Sequence, residues 1–198
     1  MPVLDYGWAW RLRRVQEDEM ASLSERMIGA MKADAKTFQE IEADPNALGQ
    51  AITVILMAGV ASLIGNIFRV GLGGGIFSMI VTLIAYAFWT FAIVLIGTKL
   101  MPEPTTKADF QEGFRVIGFT ASPGVFNVLA IIPFLGPLIS FVIGLWMLVI
   151  GVVAVREVLD YSSTGRAIIV CLIAFAIYLC VWFFIMAMSF GAAVLSNT

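Results

Sequence analysis

The stretch Ile76 to Thr98, IFSMIVTLIAYAFWTFAIVLIGT, contains no charged side chain. As a helix rising about 1.5 Å per residue it is long enough to cross the roughly 30 Å hydrocarbon layer of a bilayer. Four more apolar runs surround it, so the expected crossings cover 46–68, 76–98, 114–132, 138–155 and 167–189. Each run must satisfy its own backbone hydrogen bonds in lipid, and none alternates polar and apolar residues with period two, so helices are expected rather than a barrel. The fold class read from this pattern is all-α: a polytopic membrane protein with five transmembrane helices preceded by a cytoplasmic amphipathic helix.

Composition agrees, with 60% hydrophobic and only 13% charged residues in 198. Eleven of the twelve Lys and Arg residues fall in segments on one side of the five runs, and Arg69 is the exception. Basic loops resist translocation, so the N-terminus is expected in the cytoplasm and, after five crossings, the C-terminus outside. The acidic residues lie on the same side, and no basic stripe offers a nucleic-acid surface.

Two regions follow. Residues 1–45 form a cytoplasmic N-terminal segment in which Trp8 and Trp10 adjoin Arg11, Arg13 and Arg14, candidate anchors for the headgroup layer of an anionic leaflet. From Ser22 to Glu42 the spacing of Leu23, Met27, Met31, Phe38 and Ile41 predicts one amphipathic helix, lying on the membrane or against the loops of its own bundle. Asp44-Pro45 supplies an N-cap and a first-turn proline for the first crossing. Residues 46–198 form the transmembrane domain.

The chain has no histidine, which removes Ser-His catalysis, imidazole metal ligation and histidine proton relays. No Asp, Glu or Lys lies inside an expected crossing. Cys171 and Cys180, nine residues apart on one helix, face opposite ways. No enzyme, metal or cofactor is therefore expected. Three features remain as candidates. Ser122-Pro123-Gly124 interrupts the third crossing, either as a packing kink or as the broken helix of a substrate site. Trp89 and Trp146 each stand nine residues from the cytoplasmic end of their runs, and form a candidate mid-membrane aromatic layer, either packing or contacting a ligand. Asn66, Asn127, Ser122, Tyr86 and Tyr178 are buried polar residues for which helix–helix hydrogen bonds are expected, and Ala61 with Gly65 permits close helix approach.

From about Phe110 to Ala167, and more loosely over the whole chain, the sequence resembles the YIP (Ypt/Rab-interacting-protein) family of five-span membrane proteins, in its prokaryotic form. The likeness rests on FRVIGFTASP (114–123), IPFLGP (132–137), Leu145-Trp146 and VREVLDYSSTGRA (155–167). It implies a five-helix bundle with a cytoplasmic N-terminus, here in a prokaryotic cytoplasmic (inner) membrane. Eukaryotic relatives bind Rab-type GTPases, but their longer N-terminal domain and DLYGP-type motif have no counterpart here, so the resemblance does not extend to that partner. The expected function is a non-enzymatic accessory or scaffolding subunit of a larger membrane assembly, or a membrane-organising factor. Its partners would be the lipid bilayer and other membrane subunits or further copies of itself. The alternative is a small permease or lipid-handling protein that uses the broken third helix.

Overall fold

The structure, a computed structural model, describes residues 23–195, with side chains as far as Val181 and at Phe183. Among the described residues there are helices and turns but no strand. The order is α1 (23–31), α2 (Ala35–Ala43), α3 (Ala47–Leu95) continued by a π-helical turn (Ile96–Leu100), α4 (Phe110–Phe119), a 3₁₀ segment (Ser122–Ile131), α5 (Gly136–Val158) and α6 (Thr164–Leu195).

Three helical runs are long and apolar enough to cross a membrane: Ala47–Leu100, Gly136–Val158 and Thr164–Val181. A fourth arises if α4 and the 3₁₀ segment, bent by 40°, count as one. At 54 residues the first run would be about 80 Å long if straight, more than twice a hydrocarbon layer. It is not straight. Gly71, at φ 66° and ψ 175°, occupies a region essentially reserved for glycine and turns the chain back. A Cβ on Gly59 would lie 3.0 Å from Met79 Cγ, and one on Gly75 would lie 2.7 Å from Leu63 Cγ. Those pairs are antiparallel neighbours, so α3 is a helical hairpin with Gly71 at its apex.

The N-terminal stripe forms two helices rather than one. Four backbone bonds close α1, including Ala33 N–H to the Ala30 carbonyl (2.9 Å) and Asp34 N–H to the Gly29 carbonyl (3.0 Å). With Ala33 at φ 55° this is a Schellman ending. Asp34 then caps α2 by accepting the Lys36 N–H at 3.3 Å. Both helices bury the apolar stripe inside the protein, with Phe38, Ile41 and Ala30 fully buried and Met27 nearly so. Asp44 ends α2 and accepts the Asn46 N–H at 2.9 Å, but α3 begins at Ala47 behind an N-cap at Asn46 that makes no side-chain cap bond, so Asp44 and Pro45 precede the cap rather than form the cap and first turn. Because alanine is strained at positive φ, Ala33→Gly is expected to stabilise the fold by about 0.5–1 kcal/mol, read as a higher thermal midpoint in detergent. A lower midpoint would count against the left-handed turn.

The 3₁₀ segment is ten residues long where such runs rarely exceed four. Its sequence explains its survival. With three residues per turn, Gly124, Asn127 and Ala130 stand above one another and form a small-residue ridge against the first half of α3. A Cβ on Gly124 would meet Ala58 Cβ at 2.7 Å, and one on Gly65 would collide with the Asn127 carbonyl. At 3.6 residues per turn that ridge would rotate away from α3 within two turns.

Candidate functional site

The turns at Gly71 and Phe134 occupy one end of the bundle with Arg69 beside Gly136, and the other charged residues gather away from it. There the loop after the π turn is stapled to the α5–α6 connection. Thr105 and Thr106 donate to the Asp160 and Leu159 carbonyls at 3.0 and 2.8 Å, and the buried Tyr161 hydroxyl donates to the Met101 carbonyl at 2.8 Å. Glu103 accepts from the Ser162 N–H at 3.1 Å and pairs with Arg166 at 3.3 Å. The motif VREVLDYSSTGRA is thus half of an interlocking polar closure.

The N-terminal helices form its other layer. Arg26 bridges Asp44 at 2.8 Å and Gln50 at 2.7 Å, and its guanidinium holds the Asp44 carboxyl below its ordinary pKa. Gln39 reaches Glu157 at 2.8 Å. Arg115, the first-turn arginine of the third expected crossing, is buried and donates to the Glu42 carbonyl at 2.6 Å, while its Nε has no partner. Desolvation, and then repulsion from Asp160, Glu112 and Glu157, pushes the half-buried Glu42 carboxyl from its ordinary 4.5 to about 7, with Arg115 opposing them. Since the folded pKa is raised, this group's stabilisation is fully present below about pH 4.5 and is lost as pH rises through about 7. The full shift corresponds to roughly 3.4 kcal/mol, and solvent screening of the exposed half reduces the expected effect to about 1–2 kcal/mol. Glu42→Gln should flatten the decline in thermal midpoint between pH 5 and 8, and an unchanged slope would remove Glu42 as its source.

The two arms of the α3 hairpin, the start of the 3₁₀ segment and Met147 of α5 line a partly open cavity of about 230 Å³. Six of its lining side chains are polar: Ser62, Asn66, Ser78, Thr82, Tyr86 and Asn127. Tyr86 makes a helix–helix hydrogen bond of the expected kind, to the Thr120 side chain, whereas the bonds of Asn66 and Thr82 stay local. Asn66 donates to the Ser62 carbonyl at 3.0 Å and Thr82 to the Ser78 carbonyl at 2.8 Å, each within its own helix. Tyr178 faces outward, stacked on Phe175 at 6.4 Å.

The residues singled out in the sequence fall in different places. Ser122, Pro123 and Gly124 are buried, Ser122 donating to the Phe119 carbonyl at 2.6 Å, and Gly124 lines the cavity. Trp146 is partly exposed, stacks on Phe126 at 6.0 Å, and donates its indole N–H to the Met31 carbonyl at 2.9 Å. The α1–α2 turn, with Lys32 next in sequence, therefore descends along α5 to Trp146. Trp89 packs on the core, half-buried. Trp8, Trp10, Arg11, Arg13 and Arg14 lie outside the described residues. The close approach of Gly65 is to the chain's own 3₁₀ segment. Sequence reasoning missed Ser62, Ser78 and Thr82 as lining residues, although the pairs Ser62/Asn66 and Ser78/Thr82, each at i, i+4, flank the Gly71 turn.

Neither the curated proteins nor the solved structures give a significant match to this chain. A family model, the Yip1 domain, matches residues 28–185, which run from α1 through most of α6 and take in the hairpin, the bent third helix and the polar closure. With three apolar helical runs of membrane-crossing length inside that match, the protein is an integral membrane protein and belongs to the Yip1-domain family.

Proposed function

We propose that this is a non-enzymatic scaffold or accessory subunit of a larger membrane assembly, a membrane-organising protein whose partners are other membrane subunits or further copies of itself. The observation that carries it is the polar closure: α1, α2 and two loops are tied to the bundle by Arg26, Gln39, Arg115, Thr106 and Tyr161. Such cross-linking makes a platform with fixed shape, suited to docking rather than to opening. Counting the hairpin as two crossings and the bent pair as one gives five with α5 and α6. On that count the one-sided basic residues support an orientation with the platform and N-terminus in the cytoplasm and the C-terminus outside. In a prokaryotic inner membrane, Trp8 and Trp10 with Arg11, Arg13 and Arg14 would add an interfacial anchor to it. The test is extraction of the tagged protein from native membranes in mild detergent, native electrophoresis and mass spectrometry. A stoichiometric set of partners supports the reading, and a stable monomer that no native complex retains ends it.

The polar cavity beside the helix break favours a second reading, a small permease or lipid-handling protein. Solute flux or lipid scrambling in reconstituted vesicles, compared with Pro123→Ala, is the measurement. Equal rates with and without protein would dispose of it.

A further inference from the structure

We infer that the polar cavity between the α3 hairpin and the 3₁₀ segment is a binding site for an uncharged, hydrogen-bonding group of the hydroxyl and ester type. The site rests on the second reading only for what such binding would serve.

Three observations carry it. First, the cavity holds unpaired polarity. The Asn127 side chain has no hydrogen-bond partner among the described residues, and Asn66 uses its amide N–H₂ on Ser62 and leaves its Oδ1 unpaired. Among the described residues the only sealed, unpartnered side-chain polar atom is Arg115 Nε, so these amide atoms border space that a water-sized molecule can enter. Polar atoms left bare at membrane depth are costly, and a bound hydrogen-bonding group removes that cost.

Second, the lining selects against charge. Serine, threonine, tyrosine and two asparagines supply donors and acceptors, and no Asp, Glu, Lys or Arg lines the cavity. A phosphate or an ammonium placed there would lose its hydration and gain no counter-charge. An alcohol, ester or amide meets both donors and acceptors at no such cost.

Third, lipid has a place next to the cavity. Across the seam where Gly65 meets the Asn127 carbonyl, the first arm of α3 and the 3₁₀ segment form an open apolar groove of about 440 Å³, lined by Leu56, Val60, Ile64, Val125 and Val128. The same ridge therefore has a polar niche on one side and an acyl-sized groove on the other. The group bound can belong to a neutral diacylglycerol-type lipid or to a free polyol, and the experiment separates these sources.

The full chain in detergent micelles is titrated with dioctanoylglycerol, with glycerol, and with dioctanoyl phosphatidic acid, following the thermal midpoint. Glycerol is kept at millimolar concentration so that its exclusion from the protein surface does not itself stabilise the fold. A saturable rise of several degrees with dioctanoylglycerol alone assigns a lipid source, and a rise with glycerol assigns a free polyol. No rise with either overturns the inference, as does an equal or larger rise with phosphatidic acid. Asn127→Leu should weaken binding at least tenfold, and Ser78→Leu provides the same test from the hairpin if the first variant folds poorly. Unchanged affinity in a folded variant would place the ligand elsewhere. Binding without flux in vesicles would leave this site standing and remove the transport reading.

Discussion

Gly65→Ala is expected to cost at least about 3 kcal/mol, at the upper limit of ordinary overpacking, and to lower the thermal midpoint by on the order of 10 °C. The added Cβ would meet the carbonyl oxygen of Asn127, with the carbonyl carbon 3.0 Å away. A flexible side chain can swing aside from such a collision, but a backbone carbonyl moves only if the 3₁₀ segment moves with it. That segment is pinned on both sides of the contact, by Gly124 against Ala58 and by the buried Ala130. Gly73→Ala is the control, because nothing lies within 4 Å of its Cβ position and its φ is not positive. It should be neutral or slightly stabilising, since alanine is the better helix former. Equal effects of the two substitutions would mean that the α3–3₁₀ seam is looser than described.

Arg115→Met should destabilise by roughly 3 kcal/mol above pH 7, and by distinctly less at pH 5. The guanidinium is buried and donates to the Glu42 carbonyl, and it is the positive charge that opposes Asp160, Glu112 and Glu157 around the Glu42 carboxyl. Removing it raises the folded pKa of Glu42 further above the unfolded value. The variant therefore loses most where Glu42 would otherwise be ionised, and recovers as that carboxyl takes up a proton. Thermal midpoints at pH 5 and pH 8 decide the point. A loss of the same size at both would show that Arg115 acts through its hydrogen bond to the Glu42 backbone carbonyl rather than through its charge on the Glu42 carboxyl.

How much of this was legible depended on the range of the interaction. The run 138–155 lies inside Gly136–Val158 because hydrophobic content alone makes a helix in lipid, and one sequence window contains all the information needed. The interruption near Pro123 was visible for the same reason, since a missing backbone donor is a local fact. The 3₁₀ winding beyond it was not. It depends on Gly124, Asn127 and Ala130 meeting Ala58 and Gly65, residues about sixty positions away. Amphipathic spacing in 22–42 gave the apolar stripe, but Ala33 carries no glycine or proline signal, so the turn dividing α1 from α2 was invisible. The cavity was hidden by chemistry that looks ordinary: a Ser or Thr four residues from another commonly bonds its own helix, and whether it also faces a void depends on how two arms pack. Arg115 read as a residue at the mouth of a crossing, and only the arrival of α2 makes it buried.

The 3₁₀ winding also sets a length. At about 2.0 Å per residue, Ser122–Ile131 extends roughly 20 Å, whereas the same ten residues wound as an α-helix would extend about 15 Å. Together with α4 it lets a short third helix keep pace with its longer neighbours in spite of the 40° bend. Rewinding the segment would draw the Phe134 turn inward by about 5 Å, and carry the Asn127 amide around the axis, out of the cavity. Reach and side-chain orientation are thus coupled in one stretch of backbone, and neither changes without the other.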